Sequence, residues 1–145
     1  MRTPALAHDH SENGAVIVEF AVVFIVFVTL VWGLISYGVI FAAQQSMAHA
    51  ASEGARTGVG VADQAGAETA AEAIAYDQLE WLGSDDPTDG LTVEANVVAC
   101  DYDATKNCLV VEATYDWAGF PVVPSLLDIS TPNTLTSRAV VQHSN

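Results

Sequence analysis

From Ala15 to Ala43 the chain is apolar for 29 residues, broken only by Glu19, Thr29, Ser36 and two glycines, Gly33 and Gly38. As a helix rising about 1.5 Å per residue, such a run reaches roughly 43 Å, against roughly 30 Å of bilayer hydrocarbon. It is long enough to cross a membrane with Glu19 near one edge. A carboxylate in a membrane-length helix is costly and usually marks a function, so Glu19 is a candidate functional residue, and Gly14 lies five positions before it. Apolar character softens at Gln44-Gln45-Ser46, yet Met47, Ala48, Ala50 and Ala51 keep helix formers going to Gly54. The reading is one long helix over residues 15–53, with its membrane part at about 20–43. Residues 1–14 are polar and lack apolar periodicity; they read as a leader with no fold of its own.

Residues 54–145 are expected to form one small exported head, since a chain of this length has room for a single modest core. Of the eighteen acidic residues, only Asp9, Glu12 and Glu19 precede Gln44, so fifteen follow it, against Arg56, Lys106 and Arg138. A surface near −12 repels nucleic acid and anionic lipid headgroups alike. It suits an extracellular head kept soluble by its charge, and no nucleic-acid partner is expected. Two cysteines, Cys100 and Cys108, lie beyond the apolar run with C-x7-C spacing and no second pair or suitably placed histidine. Zinc and thioredoxin-type readings are poor. A structural disulfide is expected instead, which implies an oxidising compartment.

Gly54, Gly58 and Gly60 interrupt helix propensity, after which Asp63 can cap a second helix running to Leu82 and stopped by Gly83. Ala67, Ala71, Ile74, Gln78 and Trp81 form its inward stripe, with Glu68, Glu72, Asp77 and Glu80 away from it. Asp85-Asp86-Pro87 and Asp89-Gly90 make a turn. Leu91 to Ala99 and Leu109 to Trp117 each alternate apolar with mostly polar residues, and Thr134 to Gln142 offers a third strand. The fold class is therefore α+β: a long N-terminal helix, a second helix and a three-stranded antiparallel meander, with Cys100 and Cys108 clasping the first hairpin.

Several motifs can be matched to families. Gly14-Ala15-Val16-Ile17-Val18-Glu19-Phe20-Ala21 resembles the G-x4-E-F-A start of TadE-like minor pilins, or pseudopilins, of the tight-adherence (Tad/Flp) branch of type IV pili. Ala51-Ser52-Glu53-Gly54-Ala55-Arg56 is similar to that family's A-x-x-G-A-R segment. Further resemblances are Val111 to Trp117 followed by Phe120-Pro121, and Leu135 to Val140. The resemblance implies a type IV pilin-like fold, cleavage between Gly14 and Ala15 by a dedicated prepilin peptidase, and assembly with other pilins on a pilus platform. It implies a single-pass protein of the bacterial cytoplasmic membrane, N-terminus in and C-terminus out, that enters a pilus. Glu19, with Phe20 beside it, would neutralise the new ammonium of a neighbouring pilin, which lowers the cost of burying both charges.

Two alternatives share the apolar run. A membrane-anchored extracellular binding domain unrelated to pili would keep residues 1–14; a secreted protein would be cut after Ala48-His49-Ala50, although its apolar segment would be about twice the usual 7–15 residues. No grouping of nucleophile, base and acid stands out, and Gly58-Val59-Gly60 is followed by no Lys-Ser or Lys-Thr. Neither catalysis nor a cofactor is expected. Asp101-Tyr102-Asp103 opens like a calcium loop but lacks the glycine at its sixth position and the later glutamate, so a plain hairpin loop is expected. His8-Asp9-His10 lies in the leader. Trp81, Tyr115 and Trp117 are expected in the core.

Overall fold

The structure is a computed structural model that describes residues 11–83, 85–123 and 131–143. Most of the expected leader, with His8 and His10, lies outside the described residues. Residues Ser11 to Gly14 are already helical, as the first turn of α1 (Ser11–Val59). The chain divides into two compact units between Tyr37 and Gly38. The second therefore begins well before Gly54, and the last six turns or so of α1 are part of the head.

In that head the buried residues of α1 are Ile40, Ala43, Met47, Ala50, Ala51 and Ala55, a stripe at helical spacing. After Met47 the stripe consists of alanines alone, and it continues through Gly54 and Gly58. The helix does not stop at 53. A Cβ on Gly54 would stand 2.6 Å from the Ala71 carbonyl oxygen; one on Gly58 would stand 2.7 Å from that of Ala67 and collide with the Leu109 side chain. These glycines let two helical backbones approach closely, and burial outweighs the roughly 1 kcal/mol each costs in helix propensity.

The facing helix is α2 (Gln64–Gln78). Asp63 caps it, its carboxylate accepting from the Gly66 N–H at 2.9 Å. It ends at Gln78 rather than Leu82: Leu79 is its C-cap, and residues 79–82 form a turn closed by the Gly83 N–H to the Leu79 carbonyl at 3.2 Å. Its buried row is Ala67, Ala71 and Ala75, continued by Leu79 and Leu82. The predicted stripe is thus rotated. Ile74 is only half-buried and Gln78 exposed, because the alanine row lies against the glycines of α1 and leaves room for nothing larger at the contact. Trp81, past the helix end, is 49% exposed.

The sheet is the antiparallel meander β1-β2-β3, formed by β1 (Leu91–Cys100), β2 (Asp103–Asp116) and β3 (Thr134–His143). β2 starts earlier than the pattern suggests, because the hairpin turn is short and the register shifts between Ala99 and Cys100. One face is buried: Leu91, Val93 and Ala95 beside Leu109, Val111, Ala113 and Tyr115, with Leu135 from β3. At the far end Gly90 adopts φ +76°, and the Phe120 ring occupies the space where a side chain would stand. Only glycine fits there. The Tyr115 hydroxyl donates to the Phe120 carbonyl at 2.6 Å, and its ring meets buried Trp117 edge-on at 6.1 Å. Tyr115 and Trp117 are core residues, unlike Trp81.

Candidate assembly site

In the first unit the described part of α1 offers its apolar side chains outward. Val16, Ile17, Val18, Phe20, Leu30 and Leu34 are each more than 60% exposed. Soluble monomers rarely leave so large an apolar surface bare in water. One window of the helix has mean hydropathy 2.8 with nothing buried, long and apolar enough to cross a membrane. Glu19 is exposed among these residues, and Phe20 stacks on Phe24 at 5.8 Å. Ala15 and Glu19 are four residues apart in one helix, so they share a face about 6 Å apart along the axis. A cationic amine at residue 15 would lie within one turn of the carboxylate. Nothing stands within 4 Å of the position a Cβ would take on Gly14, so the backbone there is open to approach.

Ser36 donates its hydroxyl to the Trp32 carbonyl at 2.9 Å, so this polar side chain is satisfied within its own helix. Glu19 is the one acidic or basic residue between Gly14 and Ala43.

In the head, the face of α2 away from the expected stripe does something else. Glu68 accepts from the Val97 N–H at 2.8 Å, Glu72 from the Ala95 N–H at 3.0 Å, and the Tyr76 hydroxyl from the Val93 N–H at 3.0 Å. Three residues spaced four apart on the helix meet three spaced two apart on the strand. Four helical residues rise about 6 Å and two strand residues about 6.7 Å, so the rows stay in step. The outer edge of β1 is thereby closed by side chains, not by another strand. Sequence reasoning placed these carboxylates away from the inward stripe and gave them no partner. The signal that could have found them was the match of periods between 68-72-76 and 93-95-97.

Cys100 and Cys108 form a disulfide with Cα atoms 5.0 Å apart. It ties the two strands beside the register shift, next to an exposed hairpin tip where the Lys106 ammonium lies 5.8 Å from the Tyr102 ring centre. Asp103 there is engaged by Thr105, whose hydroxyl donates at 2.6 Å and whose N–H donates at 3.0 Å. These bonds, the hydroxyl's first, hold its carboxyl below the usual aspartate range. Asp86 is lowered likewise by the Thr88 N–H and then its hydroxyl. Among the described residues no group of three or more His, Cys, Asp or Glu could hold a metal ion.

These observations define a class: a helix long and apolar enough to cross a membrane, whose later turns belong to a small α+β head. Residues 14–56 match the TadE-like protein family. The match begins at Gly14 and runs through Glu19 to the Gly54-Ala55-Arg56 segment, so the resemblance read from these residues is shown over this stretch; this similarity associates the chain with a Tad-type pilus. No curated protein and no solved structure matches the chain.

Proposed function

We propose that the chain is a minor pilin or pseudopilin of a Tad-type pilus, acting without catalysis in priming, assembly or the tip of the filament and so in surface attachment. A prepilin peptidase cuts between Gly14 and Ala15. The protein then stands in the bacterial cytoplasmic membrane with its N-terminus in and its acidic head out, and moves into the pilus through the assembly platform together with major and minor pilins. The observation that carries this reading is Glu19 on the same helical face as Ala15, inside the segment that matches the TadE-like family.

A carboxylate retained in an otherwise uninterrupted apolar surface needs a partner once it leaves water. The ammonium released at Ala15 supplies one, on the same chain or on a neighbouring pilin. Removing one member of such a desolvated pair costs about 3–5 kcal/mol, enough to abolish a weak helix association. The test is complementation of a deletion strain with Glu19→Ala, scoring filament yield beside membrane abundance and the N-terminal sequence of the recovered protein. The expected result is a variant that is made, inserted and cut after Gly14, with filaments lost. Normal filaments at normal abundance would refute the role of Glu19, and an intact leader on the wild-type chain would refute the pilin reading itself.

A further inference from the structure

The head begins at Gly38, and the end at which it begins carries an apolar rim. Gln78 shares a hollow with Gln45, Ser46 and His49, and Leu82, four residues further on, joins Ile40 and Ala43 in the core. At this level Trp81, Tyr115, Phe120 and Val122 line an open hollow of about 500 Å³, with Glu80 and Asp89 beside them. Trp81, Phe120 and Val122 are 49%, 43% and 43% exposed, and Phe41 is exposed on α1. These side chains are held in place. The Phe120 N–H donates to the Asp116 carbonyl at 3.1 Å and its carbonyl accepts from the Tyr115 hydroxyl at 2.6 Å, while Trp81 lies in the turn closed between Leu79 and Gly83.

The length of the apolar run points to what covers that rim. The run ends at Ala43, a residue fully buried in the head. With Glu19 at one edge, a hydrocarbon layer of roughly 30 Å takes up about 20 helical residues and ends near residue 39. Residues 40–43 then fall in the headgroup layer, and the part of the head packed around Ile40 and Ala43 falls there too. Tryptophan concentrates in this layer, its ring among the ends of the acyl chains and its N–H donating to phosphate and ester oxygens. We propose that this end of the head docks on the bilayer surface, with Trp81, Phe120 and Val122 entering the headgroup layer of zwitterionic phospholipid. It rests on the membrane-anchor part of the function proposed above and not on the pilin part.

Charge selects the lipid. Glu80 and Asp89 line the hollow, Asp85 and Asp86 belong to the same connection, and no lysine or arginine occurs between Arg56 and Lys106. A net anionic headgroup is repelled by such a rim. A zwitterionic one ends in a cationic amine, which the carboxylates attract and the face of a tryptophan ring accepts. A basic segment of another protein would meet the same charges, yet the apolar run already brings bilayer to this level of the head. The other end of α1 is free of that constraint, since Thr57 stands 14 residues beyond Ala43, about 21 Å along the helix, and is exposed.

The experiment is spin-label accessibility in the full chain, kept oxidised, in lipid nanodiscs, with a single nitroxide introduced through Val122→Cys, Thr57→Cys or Leu30→Cys. Leu30 is 68% exposed on the apolar run and reports insertion. In phosphatidylcholine discs, accessibility to oxygen relative to a water-soluble nickel chelate should be at least about threefold higher at residue 122 than at residue 57, and adding Trp81→Glu should bring it down to the value at residue 57. In phosphatidylglycerol discs the ratio at residue 122 should fall at least about twofold. A lipid signature at residue 30 with an aqueous one at residue 122 would overturn the proposal alone, whereas an aqueous signature at residue 30 would overturn the membrane reading and the proposal with it. Shielding of residue 122 from both reagents would mean that protein, not lipid, covers the rim, and an equal ratio in the two kinds of disc would mean that charge does not choose the lipid; either result overturns the proposal.

Discussion

Gly54→Ala separates two explanations of the glycines at the exit of the long helix by sign. If Gly54 merely weakens the helix, alanine stabilises it by about 1 kcal/mol, the propensity difference. The structure says otherwise. The new Cβ would lie 2.6 Å from the Ala71 carbonyl oxygen and 3.3 Å from the Ala75 Cβ. The nearer neighbour is backbone inside a capped helix, so nothing flexible can give way, and α2 must lift from α1 along its alanine row. Overpacking of this kind costs about 1–3 kcal/mol, and set against the propensity gain it leaves a net loss of up to about 2 kcal/mol. Lifting α2 would also disturb the bonds from Glu68, Glu72 and Tyr76 to β1, which pushes the result toward the larger figure. The assay is thermal unfolding of the oxidised full chain in detergent, followed by near-ultraviolet circular dichroism of Tyr115 and Trp117. At about 4–8 °C per kcal/mol for a head of this size, the midpoint should fall by several degrees. Gly38→Ala, where a Cβ meets nothing within 4 Å, is the control and should not lower it. A rise for Gly54→Ala equal to or above that of the control would refute the close-packing argument.

Other outcomes follow from the same geometry. Glu68→Ala with Glu72→Ala should each cost about 1–2 kcal/mol, since a hydrogen bond to a charged acceptor is lost at a half-buried edge, and the double variant should aggregate through β1 in a light-scattering test; unchanged stability and solubility would count against edge closure. Burial, then the charges of Asp116 and Asp89, raise the Tyr115 pKa above its ordinary value. The neutral phenol's contribution is therefore complete below about pH 10 and lost as pH rises through the folded value. Tyr115→Phe should flatten that alkaline decline in a urea titration across pH, while weakening the head at neutral pH through loss of the bond to Phe120. Asp86 and Asp103 have lowered pKa values, so their contribution is present above the ordinary carboxylate range and disappears as pH falls through the folded values; Asp86→Asn with Asp103→Asn should reduce the slope of acid unfolding. Reduction of Cys100–Cys108 should lower stability by roughly 2–3 kcal/mol on the loop-entropy model, read from urea midpoints with and without reductant.

The architecture was legible because each element carries its own period. An apolar run of membrane length, the Asp63 cap and three alternating strands are local patterns, and the helix-helix-meander order with strands β1-β2-β3 follows from them. Boundaries failed where a local propensity met a long-range contact. Gly54 and Gly58 read as breakers because propensity is a property of the isolated helix, whereas their packing against Ala71 and Ala67 is a property of two helices. The stripe of α2 was assigned by helical spacing through Ala67, Ala71, Ile74, Gln78 and Trp81, a row that passes beside Ala75. In a contact as close as this one, the smallest side chains are the most buried. The first-unit residues Gly14, Ala15, Glu19 and Phe20 were legible as a spacing.

The role of Glu68 and Glu72 has a further consequence for an acidic head. Charge and edge protection are here the same residues: two of the fifteen carboxylates that keep the head soluble are also acceptors for β1, so this edge is blocked by hydrogen bonds and by repulsion at once. β3 contains no carboxylate that could serve its outer edge in this way.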